Sequence, residues 1–314
     1  MRRQLVLGLL FAAGALTMSV NALQQPPAGA AGQAAAPREV MVEKLKDNLY
    51  MMRGGGGNSA VFITSTGVVV VDTKNPGWGQ PLLDKIKSVT DKPVTMIINT
   101  HTHGDHVSGN VEFPATVEVV THANTAKNMQ EMRPPSGITP APGTPANIFK
   151  ENNGRGMPKR TFTDTLKIGK GADEIELHYF GRGHTNGDAW VVFPALRFMH
   201  AGDIFSGKNV PLLDAVNGGS GVEIGKTLAT AASSAKNVDS IITGHSTVMT
   251  IADLKEYAQF NDDFANAVRE AKKKGGSVEE FAKTWKIPPQ YKGYAEPQAP
   301  RLLSNATIVW AEVK

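Results

Sequence analysis

The chain has 314 residues, 41% hydrophobic and 20% charged, with a formal charge of +4 and a pI near 9.1, an ordinary globular composition with material for one large core or two small ones. Its basic residues are scattered, the densest run being KKK at 272 to 274, so nothing in the charge pattern marks a nucleic-acid surface. No cysteine occurs, which excludes a disulfide framework, a lipid-anchor cysteine and any thiolate ligand or nucleophile.

Arg2 and Arg3 precede the apolar run LVLGLLFAAGALTM, and Val20-Asn21-Ala22 supplies small residues for a cut, which reads as a secretory signal peptide over residues 1–22. The run has fourteen residues, short of the roughly 20 that cross a bilayer. Cleavage before Leu23 removes two arginines and no acid, so the mature charge is 4 minus 2, or +2. Residues 23–37, LQQPPAGAAGQAAAP, read as a flexible leader. That leaves residues 38–314 as one folded domain, expected in the periplasm or outside the cell with no membrane span after signal removal.

After the leader, EVMVEKLKDNLYMM, SAVFITST and GVVVVDT are β-rich runs separated by GGGGN and STG, the pattern of an antiparallel meander. QPLLDKIKSV has helical periodicity, and PVTMIIN is a buried strand running into NTHTHGDH. A strand at VEVV and a helix at NTAKNMQEM follow, then a Pro/Gly-rich loop from about 133 to 159. The second half repeats the style, with strands EIELHYF, AWVVF and LRFMH, a helix VEIGKTLATAASSA and a strand VDSIIT. Two more helices close the reading, ADLKEYAQFNDDFANAVREAKKKG and VEEFAKTW. Strands in runs with interleaved helices in both halves predict an α/β fold, a four-layer helix, sheet, sheet, helix (αββα) sandwich.

His101, His103, Asp105 and His106 crowd four ligand-type side chains into six residues at the end of a strand. Residues two apart on extended chain share a face, so His101 and His103 converge on one point. Gly104 allows a sharp turn that re-aims Asp105 and His106 toward a second. His184 in GRGHTNGD, Asp203 in HAGDIF and His245 in ITGH each also follow a strand. Four strand ends therefore deliver ligand types to one edge of the sheets, where sites are commonly built. His122 and His178 are expected to be structural and His200 a neighbour of the site.

In this order and spacing, THTHGDH, GHTNGD, HAGD and the late GH resemble the metallo-β-lactamase superfamily of metal-dependent hydrolases, over about residues 40 to 250. Seven ligands exceed what one zinc takes, about three protein ligands and a water at a catalytic site. The resemblance implies the αββα fold with a dinuclear centre between the sheets: His101, His103 and His184 on one ion, Asp105, His106 and His245 on the other, Asp203 bridging. Asp72, ending GVVVVDT, supports the site without ligating. The ions are expected to be two Zn²⁺, with iron or manganese as alternatives; the diiron oxygen reductases of the superfamily usually carry an acid where this chain has His103. A hydroxide shared by the ions, oriented by Asp105, is then the nucleophile.

The β-lactam hydrolases of the superfamily place cysteine or serine where this chain has Asp203. The site therefore resembles lactonases, glyoxalase II and related esterases, although export suits a periplasmic β-lactamase. Glyoxalase II is typically intracellular, and its basic glutathione-binding motifs are not found after residue 250. The expected substrate is a small molecule carrying an ester, lactone or thioester, and the nearest branch is the exported one resembling quinoprotein- and sulfur-oxidation-associated hydrolases. The alternatives are a β-lactam hydrolase and a non-catalytic exported metal-binding protein. GGGGNS, Trp78, Lys208 and the loop with Arg155, Lys159 and Arg160 are expected to border the pocket, unless they are only surface.

Overall fold

Four consecutive valines, Val68–Val71, form a strand with no polar residue on either face. Such a strand is stable only when both faces are covered, and in the computed structural model, which describes residues 38–314, both are. Val69 and Val71 point into a core between two sheets, while Val68 and Val70 point to the outer side of their own sheet. The signal peptide and leader expected over residues 1–37 lie outside the described residues.

The first sheet has the order β1-β2-β3-β4-β5-β6-β7. Its strands are β1 (Met41–Lys46), β2 (Leu49–Arg53), β3 (Ser59–Ile63), β4 (Val68–Val71), β5 (Val94–Asn99), β6 (Glu118–His122) and β7 (Arg160–Phe162). β1 to β4 form the expected antiparallel meander, and β4 to β7 are parallel. The second sheet, in the order β13-β12-β11-β10-β9-β8, comprises β8 (Thr165–Ile168), β9 (Ile175–His178), β10 (Trp190–Phe193), β11 (Phe198–Gly202), β12 (Ser240–Thr243) and β13 (Met249–Thr250).

Alternation along β10 repeats the logic of β4. Val191 and Phe193 join the core between the sheets, and Trp190 and Val192 join the core outside the second sheet. The outer face of the first sheet is covered by α1 (Gly79–Lys87) through Leu82 and Ile86. The chain next forms α2 (Gly104–Val107), α3 (Ala123–Glu131) and α4 (Ile148–Glu151). α5 (Ile224–Ser234), α6 (Ile251–Lys273), α7 (Val278–Thr284) and α8 (Ala299–Glu312) pack on the second sheet. The αββα sandwich is therefore the observed architecture.

α6 starts at a capping box in which the Thr250 hydroxyl accepts from the Asp253 N–H and the Asp253 carboxylate accepts from Thr250. It ends beside Gly275 at φ 76° with Lys272 and Lys273 in its last turn. α8 lies beyond the last helix expected from the sequence, and it matters below because its first turn reaches the site. None of the described helices is long and apolar enough to cross a membrane.

Candidate metal centre

β5 ends at Asn99, and its side-chain amide bonds to the His106 carbonyl (3.3 Å) and to Asn110. This ties down the turn that carries the histidine cluster. Thr73 N–H donates to the same carbonyl at 2.7 Å, so the end of β4 holds the turn from the other side. The glycine run is the floor of the turn. A Cβ at Gly57 would sit 2.1 Å from His106 Cε1, so only glycine lets this backbone reach the ring. Asn58 then crosses to the second sheet, donating its amide to the carbonyls of Thr243 (2.9 Å) and Ser246 (2.7 Å) on either side of His245.

The second sheet supplies the other three candidates from its strand ends. His184 sits on a turn closed by Asp188, whose carboxylate accepts from Thr185 N–H at 2.9 Å and Thr185 Oγ1 at 2.5 Å. Asp203 follows β11 after Gly202, which adopts φ 56° where a side chain would strike Thr100. His245 follows β12.

The seven residues converge in two sets whose donor atoms lie within 4.8 Å of one another: His101, His103, His184 and Asp203, and Asp105, His106 and His245. Asp203 reaches both. Its Oδ1 is 3.1 Å from His106 Nε2, and its Oδ2 is 3.1 Å from His245 Nε2 and 3.9 Å from His184 Nε2. Asp105 Oδ2 is 3.2 Å from His245 Nε2.

Four of the imidazoles spend one nitrogen on an outer partner, and that choice fixes which nitrogen faces inward. His184 Nδ1 donates to the Leu212 carbonyl at 2.6 Å. His103 Nε2 donates to Asp214 Oδ2 at 2.8 Å, and His106 Nδ1 to Asp72 Oδ2 at 2.7 Å. The Thr100 hydroxyl donates to Asp72 at 2.7 Å and accepts from His101 Nδ1 at 2.9 Å. Asp72 could be grouped with His101 and His106 by proximity alone, but its oxygens accept from Thr100 and His106.

These assignments leave lone pairs without protons. His103 Nδ1 and His184 Nε2 face each other at 3.0 Å, both as acceptors. His101 Nε2 and Asp203 Oδ1 are buried with no hydrogen-bond partner, the 3.1 Å approach of Oδ1 to His106 being poorly aligned. Opposed lone pairs and orphaned buried acceptors are costly without a cation to receive them, so the residues fit a metal centre. Nitrogen and carboxylate donors with no sulfur suit zinc and also admit iron or manganese.

The electrostatics divide the same way. Burial first, and His103 second, push His184 down to about 3, and burial with the neighbouring imidazoles holds His101 well below the ordinary histidine value. The carboxylates act oppositely on the other set. Asp203, against the cost of burial, raises His245 to about 10, and Asp203, Asp105 and Asp72 outweigh burial to hold His106 well above its usual value. Burial alone would raise Asp105 and Asp203, but His106 and His245 keep both carboxyls below the ordinary range.

The centre opens on a cleft of about 510 Å³ whose walls include Asp105, Asp203, His245, Asn209, Ile138 and Arg301. Several residues expected at the pocket are elsewhere. Lys208, expected to contact substrate, is paired with Asp253 (2.9 Å) and Glu256 (3.0 Å) of α6 and is not among the residues lining the cleft. Arg155 donates to the Phe113 carbonyl and Lys159 to that of Ala115, both beside a separate cavity of about 370 Å³. Arg160 is on β7 and Trp78 packs against Gly55. Of the long loop, Pro135 and Ile138 line the cleft. His122 caps α3, His178 pairs within β9 and β10, and His200 is buried beside the site, bonded to Asn58 O and Gly202 N.

Asp214 and Arg301 belong to no motif, and the sequence reading misses both. Thr100 and Asn58 lie within NTHTHGDH and GGGGNS, but their supporting bonds to Asp72 and Thr243 join residues far apart in the chain.

A two-sheet sandwich with histidine and carboxylate donors gathered at its strand ends defines a metal-binding α/β protein of the metallo-hydrolase type. The sequence profile of the metallo-beta-lactamase superfamily matches residues 52–245, and the chain belongs to that family. It is similar to metallo-beta-lactamase type 2 of Elizabethkingia meningoseptica, 30% identical over 181 residues that cover 53% of this chain and 62% of that protein. It is also similar to metallo-beta-lactamase IND-1 of Chryseobacterium indologenes, 28% identical over 179 residues, 52% of this chain and 64% of that one. The chain thus spans less than two thirds of the length of either relative. Among solved structures, a metallo-beta-lactamase from Pontibacter korlensis shares the fold, with a TM-score of 0.57 at 19% identity over 71% of this chain and 99% of that one.

Proposed function

We propose that the protein is an exported, two-zinc hydrolase of small carbonyl compounds, acting on esters, lactones or thioesters. The observation that carries this reading is the pair of donor sets joined by one carboxylate, Asp203, at the base of an open cleft. Bound there, two zinc ions supply Lewis acidity toward a carbonyl and bring the ionisation of water near neutral pH. His101, His103 and His184 would hold one ion, Asp105, His106 and His245 the other, and Asp203 would reach both.

The chain's own groups do the rest. Asp105, kept ionised by His106 and His245, faces the cleft and can accept a hydrogen bond from water, orienting it. Asn209 spends its Oδ1 on the Ser206 hydroxyl, and its amide N–H groups, unbonded among the described residues, are available to a substrate oxygen. Pro135 and Ile138 give the same cleft an apolar part to its lining. Export is proposed from the N-terminal segment, and an intact mass starting near Leu23 in a Gram-negative periplasm tests it; a Met1 species in membranes counts against it.

The hydrolase reading is tested with chromogenic esters, lactones, thioesters and β-lactams, with and without chelator. A bridging carboxylate takes a coordination position that a β-lactam leaving nitrogen would need. Ester, lactone or thioester turnover is therefore expected to exceed β-lactam turnover by about tenfold in kcat/KM, about 1.4 kcal/mol. The names of the two relatives favour β-lactam hydrolysis as a second reading, and efficient cephalosporin or carbapenem turnover with negligible esterase activity would establish it. Chelator-insensitive inertness toward the whole panel would leave a non-catalytic metal-binding protein.

A further inference from the structure

The cleft has one guanidinium in its wall, that of Arg301. It comes from the first turn of α8, outside residues 52–245, so the family match says nothing about it. Arg301 is half-buried, yet it forms no ion pair and no side-chain hydrogen bond among the described residues. Of the other cations expected near the pocket, Lys208 is engaged by two carboxylates and Arg155 and Lys159 by carbonyls, while Arg160 sits on β7 and does not line the cleft. Burial lowers the pKa of Arg301 and Asp203 opposes that shift, which puts the guanidinium within electrostatic reach of the carboxylate shared by the two donor sets.

Another part of the cleft lining is apolar. Ile138 and Pro135 border it and also border an adjoining cavity of about 340 Å³ lined by Met132, Pro134, Pro140 and Pro145. Ile138 is 43% exposed, a large apolar side chain left open at the mouth. The two walls approach each other at Gly137 and Ser304, where a Cβ on Gly137 would lie 2.9 Å from Ser304 Oγ. The cleft over the donor sets thus has in its lining both a cation from α8 and apolar side chains from the proline-rich loop.

We infer that Arg301 is a specificity-determining residue that holds a carboxylate on the substrate, while the Pro135 and Ile138 wall receives the apolar part. A planar guanidinium binds a carboxylate through two parallel N–H···O bonds. Arg301 is the one guanidinium among the residues lining the cleft, which suits a single carboxylate held by two parallel N–H···O bonds. This inference rests on the hydrolase reading for its kinetic arm only.

The test compares 4-acetoxybenzoate with neutral 4-acetoxybenzamide on the zinc-loaded full chain, with Arg301→Met and Arg301→Lys. Arg301→Met is expected to raise KM about tenfold for the carboxylate and to leave kcat and the amide's KM within about twofold, Arg301→Lys being intermediate. Unchanged amide turnover reports that the variant folds and keeps its metal. A second arm needs no turnover: calorimetric binding of 4-ethylbenzoate to zinc-loaded protein is expected to weaken about tenfold in Arg301→Met. Equal losses on both esters, or equal affinity of wild type and Arg301→Met for 4-ethylbenzoate, would overturn the inference. If no ester is hydrolysed but the binding difference stands, the hydrolase reading fails and Arg301 keeps its role.

Discussion

The Nε2 of His103 lies 2.8 Å from the carboxylate of Asp214, 111 residues further along the chain. Asp214 is in turn held by Asn217 Nδ2 (2.6 Å) and by the N–H and hydroxyl of Ser136 (3.0 and 3.1 Å). Against the cost of burial, contact with His103 keeps the Asp214 carboxyl below the ordinary range. The proline-rich loop, through Ser136, therefore fixes the orientation of a metal-facing imidazole.

Losing such an outer partner typically costs 10–100-fold in metal affinity. Asp214→Ala is expected to weaken zinc at the His101, His103 and His184 set by about that factor, and Asp214→Asn by less. Competition against a chromophoric chelator measures both. An unchanged affinity in Asp214→Ala would show that the contact does not orient the ring.

Native protein is expected to hold about two zinc ions per chain by elemental analysis, because a catalytic zinc takes about three protein ligands and seven are present. Asp203→Ala should bring the content toward one. A single ion in the native protein at saturating zinc would remove the bridging role of Asp203.

Zinc uptake should release protons. In the metal-free protein the carboxylates hold His106 and His245 protonated, His245 with a value of about 10, and a ligating imidazole must lose that proton. Roughly one to two protons per chain are expected at pH 7.5, read from calorimetry in buffers of different ionisation enthalpy. Zero release would contradict the charge state assigned to this set.

Acid should destabilise the protein partly through His200. Burial pushes its value down to about 4, and it accepts from Gly202 N–H at 3.0 Å, which requires the neutral ring. The unfolded chain takes up its proton near 6.5, so the stability from this residue is full above pH 6.5 and is lost as pH falls toward 4. The contribution is on the order of 3 kcal/mol. Denaturant titrations in chelator should show a shallower fall over that window in His200→Gln than in wild type.

Much of this molecule is legible in its sequence where a pattern is local. The four valines of β4 and the cluster from His101 to His106 identify a doubly covered strand and the ligand turn that follows β5. α8 is missed for a local reason: Leu302, Ala306 and Val309 have helical spacing, but the residue at its start is Gln298, which caps nothing. β7 and β8 escape because they are three and four residues long and half-exposed. The loop after Met132 hides α4, which Asn147 starts by accepting from the N–H groups of Phe149 and Lys150. Asp214 has no local signal, since its meaning lies in partners that only the folded chain brings near, and Arg301 has none because only the folding of α8 places it in the cleft.

The donors are divided between the sheets, His101, His103, Asp105 and His106 following β5 and His184, Asp203 and His245 arising from the second sheet. Cutting the backbone in the exposed stretch around Gly143 would place four donors on one fragment and three on the other, and each donor set would need both pieces. The core between the sheets and the pairing of β6 with β7 would draw the pieces together, and an ion held by donors from both would tighten that union, so metal binding would be read out as stabilised reassembly.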